Sequence, residues 1–472
     1  MRRNILGEVF VLTVLAARPA LCAAPLADPV PVARAETIAR DMTTALHRFD
    51  VPGAVVMVVR NGKPSLVQTF GERDAARNLP VRRDTHFEIG SITKQFTAAC
   101  ILQLQEAGKL RLDRPLADYL PDAPHAKEVT LRQLLTHTSG LHDYFDETLA
   151  GRPISYSNLI GRGAALPLDF PPGSRWSYSN TNYLLLGKVI EAVSGESYGA
   201  YLTRHILGPL HMTETYTTAD EAHLPDMALG YRHVDGKRVH APITDPGWAG
   251  AAGFLVTTLD DLAKWDTALS GGKVVSLSDY RQMATAFMTT KNGSANYGLG
   301  LFVDTAYGQP RIGHTGGSLG FTTADEYFPR QGVRIVAFTN LADDTPEAGE
   351  TLTNIVFADL YPALAAAAAT PSPGEDAAVT QTMRDAFRAL QTGRGYARFA
   401  AHLRGKLEGG AGAGFVSGLG PYGAPSGQIF KGRRREANAS WYAYVLQFGP
   451  GAFMPFAVKL GPDGAVSGIS VG

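Results

Sequence analysis

Cysteine is almost missing from this chain: Cys22 and Cys100 are the two in 472 residues. That excludes a disulfide-held scaffold, so stability must come from an apolar core, which a chain of this length can bury. No cysteine cluster or His-x-x-x-His spacing offers a metal site, and no cofactor is expected. Charge of one sign is also lacking. Lys+Arg and Asp+Glu both number 44, for a formal net charge of +0. Nothing in that balance suggests a nucleic-acid or polyanion partner. Long hydrophobic runs are absent past the N-terminus, so no later stretch is expected to cross a bilayer. There is no internal repeat.

The N-terminus reads as an export signal over residues 1–24. Arg2 and Arg3 supply positive charge, and Val9 to Ala17 a short apolar segment. Ala20, Cys22, Ala23 and Ala24 form a small-residue cleavage region. A periplasmic or secreted location follows, with no stable membrane span after cleavage. A lipid anchor on Cys22 is disfavoured by bulky Leu21. Cys100 then has no partner and is expected to be a packed hydrophobe.

Hydrophobic periodicity gives the organisation. Val32–Phe49 is helical in pattern. Gly53–Val59 is apolar and β-branched, Asn61-Gly62 is a hairpin turn, and Ser65–Phe70 returns. Ser91 to about Thr290 is mostly helical, with Leu131–Leu135 and Tyr183–Val193 its clearest pieces. Strands return at Gly298–Val303, Arg311–Thr315, Phe321–Phe328 and Val333–Thr339, and a helix follows over Glu347–Leu360. Strands at both ends of a helical insert predict an α/β fold: one antiparallel sheet flanked by helices, with the insert beside it. The main domain spans 35–361. Residues 362–376 read as a linker, and 377–472 as a small C-terminal α+β domain. That domain has a helix over Thr380–Leu403 and strands over Trp441–Phe448, Phe453–Lys459 and Val466–Val471.

The most informative local feature is Gly90-Ser91-Ile92-Thr93-Lys94 at the head of an apolar run. On a helix, positions three apart share a face, so the Lys94 amine reaches the Ser91 hydroxyl. A serine needs a base to become a nucleophile, and a lysine serves as one when burial makes it neutral. The spacing alone is weak, since Ser270-Gly271-Gly272-Lys273 repeats it beside glycines that suit a helix end. Partners are therefore required. Tyr178-Ser179-Asn180 closes a Pro/Gly loop and opens an apolar helix. Tyr178 can share the Ser91 proton, and Asn180 can hold a substrate carbonyl. Tyr156-Ser157-Asn158 has the same spelling without that loop. His314-Thr315-Gly316-Gly317 lies between two strand-like runs. Its glycines let a substrate approach, with the Gly317 and Ser91 amides as an oxyanion hole, or mark an ordinary bulge.

Taken in order, these segments resemble the serine β-lactamase-related family: class C β-lactamases, D,D-carboxypeptidases, D-aminopeptidases and related esterases. The resemblance is carried by Phe87 to Lys94, Leu134-Leu135-Thr136-His137-Thr138-Ser139-Gly140-Leu141, Tyr178-Ser179-Asn180 and Gly313 to Gly317, across roughly 35–360. It implies acylation of Ser91, with Lys94 and Tyr178 as catalytic partners. Asn180, His314, Gly316 and Gly317 are the implied substrate-binding residues. The strand motif begins with His314 where β-lactamases of this family usually carry lysine. That variant is similar to esterase and D-aminopeptidase relatives. The expectation is an exported hydrolase of esters or peptide/amide substrates, including D-amino-acid peptides, with weak or no β-lactamase activity. The alternative is a non-catalytic penicillin-recognising binding or sensor protein.

Competing signals are weighed alongside. Gly316-Gly317-Ser318-Leu319-Gly320 spells an α/β-hydrolase nucleophile elbow, which requires a helix after the serine, whereas Phe321–Phe328 reads as strand. His137 is expected to brace its loop. Trp176, Trp248 and Tyr297 are core or cleft-lining aromatics. The C-terminal order loosely resembles small NTF2-like modules.

Overall fold

In a computed structural model, the described residues are 28–472 apart from 145–155, 217–223, 225, 235–236, 243–245, 290–292, 295, 343–347, 437, 449–452 and 472. The export signal expected over 1–24, with Cys22, lies outside them.

The strand β1 (Gly53–Arg60) is buried almost throughout, because its alternate residues serve two different cores. Val55, Met57 and Val59 face the larger core. Ala54, Val56 and Val58 face the smaller one, made with the helices α1 (Val32–Arg48) and α6 (Ala348–Leu360). Asn61 and Gly62 turn the chain with φ of 51° and 71°, the paired positive values of a tight hairpin. The returning strand β2 (Lys63–Asp74) leads to a short β3 (Leu79–Pro80).

The rest of the sheet comes from far along the chain: β4 (Phe302–Ala306), β5 (Gln309–Gly317), β6 (Thr322–Phe328) and β7 (Val333–Thr339). The order is β4-β5-β6-β7-β1-β2-β3, with each neighbouring pair antiparallel. β7 meets β1 with Ala54 opposite Thr339 and Val58 opposite Ile335. One antiparallel sheet of early and late segments, flanked by helices, is the fold read from the sequence.

The insert supplies α2 (Thr93–Glu106), α3 (Leu131–Leu135), α4 (Asn180–Ser194) and α5 (Leu259–Ser270). Every residue of α2 from Thr93 to Leu102 is buried, Cys100 among them. A capping box of Thr130 and Gln133 starts α3. Gly195, at φ 77°, ends α4.

Several boundaries differ from the sequence reading for local reasons. Residues 298–301 form a turn ahead of β4. A Cβ at Gly298 would stand 1.9 Å from the Met283 carbonyl oxygen, and Gly300 has φ 74°. The helix expected over Thr380–Leu403 is divided: α8 spans Ala377–Thr392, and Gly393 and Gly395, at φ 66° and 84°, end it. The stretch read as a linker is partly ordered, since α7 (Pro362–Ala368) is helical and buries Leu364 in the smaller core.

The C-terminal region forms a four-stranded antiparallel sheet, β8 (Gly427–Glu436), β9 (Ala439–Gln447), β10 (Phe453–Leu460) and β11 (Val466–Val471), in sequence order. It packs with α8 around a core of its own. Arg48 donates to the Tyr422 carbonyl at 2.8 Å, and the Tyr307 and Phe453 rings meet at 5.8 Å. Tyr307 lies in the β4–β5 turn, at the opposite end of β5 from Gly317. Among the described residues no single helix is long and apolar enough to cross a membrane.

Candidate active site

Ser91 sits in a single turn of 3₁₀-helix, Gly90–Ile92, directly ahead of α2. Gly90 takes φ 51°, and a Cβ there would stand 2.6 Å from the Gly317 nitrogen. Only glycine allows both that backbone conformation and the close approach of β5. The turn leaves Ser91 half-buried and puts Lys94 one helical turn inward, at 0% exposure.

The Lys94 amine has three oxygen neighbours: Ser91 Oγ at 2.9 Å, Asn180 Oδ1 at 2.8 Å and the Ala252 carbonyl at 2.6 Å. Burial drives its pKa from 10.5 down to about 7, against the opposing pull of the Asp143 carboxylate. A neutral amine has two hydrogens and one lone pair. The carbonyl and the amide oxygen can only accept, so they take the two hydrogens. The lone pair is left for the Ser91 hydroxyl, which is the geometry of a general base.

The Tyr178 ring lies 4.8 Å from the amine nitrogen. His137 stacks on that ring at 4.3 Å, and its Nδ1 accepts from the Ser179 N–H at 3.2 Å and from Asn182 Nδ2 at 3.1 Å. Its φ of 55° belongs to the tight loop after α3. His137 thus holds the loop at Tyr178 and Ser179 against the start of α4. Burial and nearby Lys94 keep its pKa well below the usual histidine value.

His314, one of the expected substrate-binding residues, is packed inside the cluster. It is 2% exposed. Its Nδ1–H donates to the Thr315 carbonyl at 2.5 Å, so Nε2 is the acceptor for the Tyr297 hydroxyl at 2.9 Å. Both ring nitrogens are engaged within the protein. Burial, with Lys94 nearby, lowers its pKa to about 3, so it carries no charge at neutral pH. Gly316 also has a packing role: a Cβ there would stand 2.0 Å from the Ile89 carbonyl oxygen, on the segment leading to Ser91. At Gly317 a Cβ would meet nothing within 4 Å, so its Cα borders open space while its backbone lies against Gly90 of the serine turn.

Ser91, Lys94, Asn180 and Tyr178 are therefore gathered, with Gly316 and Gly317 against the same turn. The false partners fall elsewhere. Ser270 ends α5, and Val274, next to Lys273, accepts from Gln103 at the far end of α2. The side chains of Tyr156 and Trp248 lie outside the described residues. Ser318 follows a strand and precedes another, β6, so the elbow spelling is a hairpin. Trp176 is half-buried and angled to Tyr297 at 6.1 Å and Phe302 at 6.4 Å. Asp143 and the Ala252 carbonyl escaped the sequence reading. They lie 49 and 158 residues from Lys94, and no local pattern marks them. Tyr297, expected as a core or cleft-lining aromatic, is buried and bonds His314. No cluster of His, Cys, Asp or Glu among the described residues could hold a metal.

The beta-lactamase family model matches residues 38–360, about two thirds of the chain. The chain belongs to the beta-lactamase family. PbpX of Bacillus subtilis, which carries the name penicillin-binding protein, is 35% identical over 249 residues, 52% of this chain and 61% of its own length. A D-aminopeptidase of Cereibacter sphaeroides is 28% identical over 293 residues, 61% of this chain and 56% of its own. The chain thus spans about three fifths of the length of these relatives. A solved D-stereospecific amidohydrolase from Streptomyces sp. superposes with a TM-score of 0.59 at 28% identity, covering 69% of this chain and 98% of that one. Family and fold both agree with the resemblance carried by the sequence motifs.

Proposed function

We propose that the protein is an exported serine hydrolase that acylates Ser91, acting on esters or peptide/amide substrates. The observation that carries this reading is the Lys94 amine, buried, with two obligate acceptors and its remaining position on Ser91 Oγ. In acylation the Ser91 oxygen bonds the substrate carbonyl carbon while its proton moves to Lys94. The carbonyl oxygen, now negative, is held by the Ser91 and Gly317 amides. As the intermediate collapses, the bond to the leaving group breaks and that group takes the proton, with Tyr178 beside Lys94 to relay it. Water then repeats the sequence on the acyl-enzyme and frees Ser91.

With His314 held neutral and Lys94 brought down to serve as a neutral base, neither group supplies a fixed positive charge at this cluster. Such a site favours substrates without a carboxylate beside the scissile bond and disfavours efficient β-lactam turnover. The D-aminopeptidase and amidohydrolase relatives support an amide or peptide substrate of D-configuration. The test is labelling with a fluorophosphonate probe, followed by a panel of nitrophenyl esters, D-amino-acid amides and a chromogenic cephalosporin. Ser91→Ala and Lys94→Met are each expected to lose about four orders of magnitude in turnover, because nucleophile and base act as a unit. Equal labelling of Ser91→Ala and wild type would refute the proposal.

A further inference from the structure

We propose that Asp143 is a positioning residue of this site, a carboxylate fork that fixes the Asn180 amide so that its oxygen stays on the Lys94 amine. The inference rests on the Ser91 hydrolase reading and deepens it. Asp143 lies in the loop after α3, eight residues past that helix, and nothing in its own stretch marks it. Its Oδ1 accepts the Asn180 backbone N–H at 2.9 Å, and its Oδ2 accepts Asn180 Nδ2 at 3.3 Å. Asn180 Oδ1 then meets Lys94 Nζ at 2.8 Å.

Two consequences follow from donor and acceptor chemistry. A carboxylate only accepts, so it dictates which end of the Asn180 amide faces it. Were the amide reversed, oxygen would face oxygen at Asp143 and nitrogen would face the amine at Lys94. The same fork caps α4: its flanking residue Ser179 makes no side-chain cap bond, and the Asn180 N–H is satisfied by Asp143 instead. One side chain thereby sets both where α4 begins and which atom of Asn180 reaches the base.

Asp143 also acts on Lys94 by charge. The groups facing the amine are Ser91 from its own turn, Asn180 and Tyr183 from α4, Tyr178 and His137 from the two loops, His314 from β5, and the Ala252 carbonyl. Both histidines are neutral, so Asp143 is the negative charge that opposes burial at Lys94. Removing it makes the amine easier to deprotonate and leaves it worse aligned.

Asp143→Asn keeps an oxygen for the α4 cap while deleting the charge and the acceptor fork. The measurement is kcat/KM against pH on an ester that labels Ser91, normalised to fluorophosphonate-reactive sites. We expect the acid limb to move to lower pH by about half a unit and the plateau to fall about ten-fold. In an Asn180→Ala background, Asp143→Asn is expected to lower the plateau no further. Asp143→Glu keeps the charge and displaces the fork, so its limb stays with wild type while its plateau falls. An Asp143→Asn limb coincident with wild type overturns the proposal, whatever the plateau does. Should Asp143→Asn fail to fold, Asp143→Glu decides, and a plateau equal to wild type overturns it. Absence of Ser91 labelling in the wild type is a separate result that removes the hydrolase reading and this inference with it.

Discussion

At the scale of single residues, two buried bases separate cleanly by pH. Lys94 is brought to about 7 and His314 to about 3, both chiefly by burial. A base must be unprotonated to work, so activity is expected to fall as pH drops through 7, with Lys94 as the titrating group. Stability follows the same groups in different windows. Between pH 7 and 10.5 the folded state binds fewer protons at Lys94 than the unfolded chain does, so its contribution rises with pH. The His314 contribution is complete above 6.5 and is lost as pH falls from 6.5 towards 3. His314→Asn offers a donor to the Thr315 carbonyl and an acceptor to Tyr297 without titrating. It is expected to leave the acid limb of kcat/KM near pH 7 while the melting temperature declines less steeply between pH 6.5 and 4. A limb that moves with this substitution would make His314 the base.

At the scale of elements, the two adjacent glycines of β5 have different tasks. Gly316 packs its Cα face against the Ile89 carbonyl, and Gly317 borders open space. Gly316→Ala forces β5 off the serine turn and is expected to cost about 1–3 kcal/mol, as overpacking of a tight contact does. Gly317→Ala is expected to keep the wild-type melting temperature and to lower turnover by crowding the space where a substrate carbonyl would sit. Thermal melts of the pair, with turnover of each, check this, and equal destabilisation would refute the division. The sheet strands are legible in the sequence because buried, β-branched runs such as Gly53–Val59 and Val333–Thr339 leave little alternative. β8 is not, since Lys431, Arg433, Arg434 and Arg435 give it the look of a solvated loop. Its pairing with β9 supplies what its composition withholds. At the site, Ser91 and Lys94 are legible from helical spacing and Tyr178 and Asn180 from their loop. Asp143 and the Ala252 carbonyl are contacts across the fold, and His314 reads as a substrate ligand, whereas the fold buries it with one ring nitrogen on the Thr315 carbonyl and the other on Tyr297.

At the scale of the whole molecule, the C-terminal sheet and α8 hold a hydrophobic core separate from the two that sandwich the main sheet. The bridging contacts run through Arg48, Tyr307 and the Pro362–Ala368 helix, where Lys431 donates to the Ala368 carbonyl. Tyr307 lies in the turn before β5, whose length to Gly317 is roughly 25–30 Å for an extended strand, so its contact lies away from the serine turn. Separate cores with few shared side chains are expected to unfold separately. Phe387, buried on α8, packs against Phe448 at 5.8 Å and Phe456 at 5.2 Å between ring centres. Phe387→Ala is expected to cost the C-terminal core about 3–5 kcal/mol, the usual loss for deleting a buried phenyl ring. Calorimetry should then show an early transition for that region, with fluorophosphonate labelling of Ser91 persisting through it. Should labelling disappear within the early transition, the C-terminal sheet would be part of what holds Ser91 and Lys94 together, because β5, fixed at its Tyr307 end, would have lost its register at the Gly317 end.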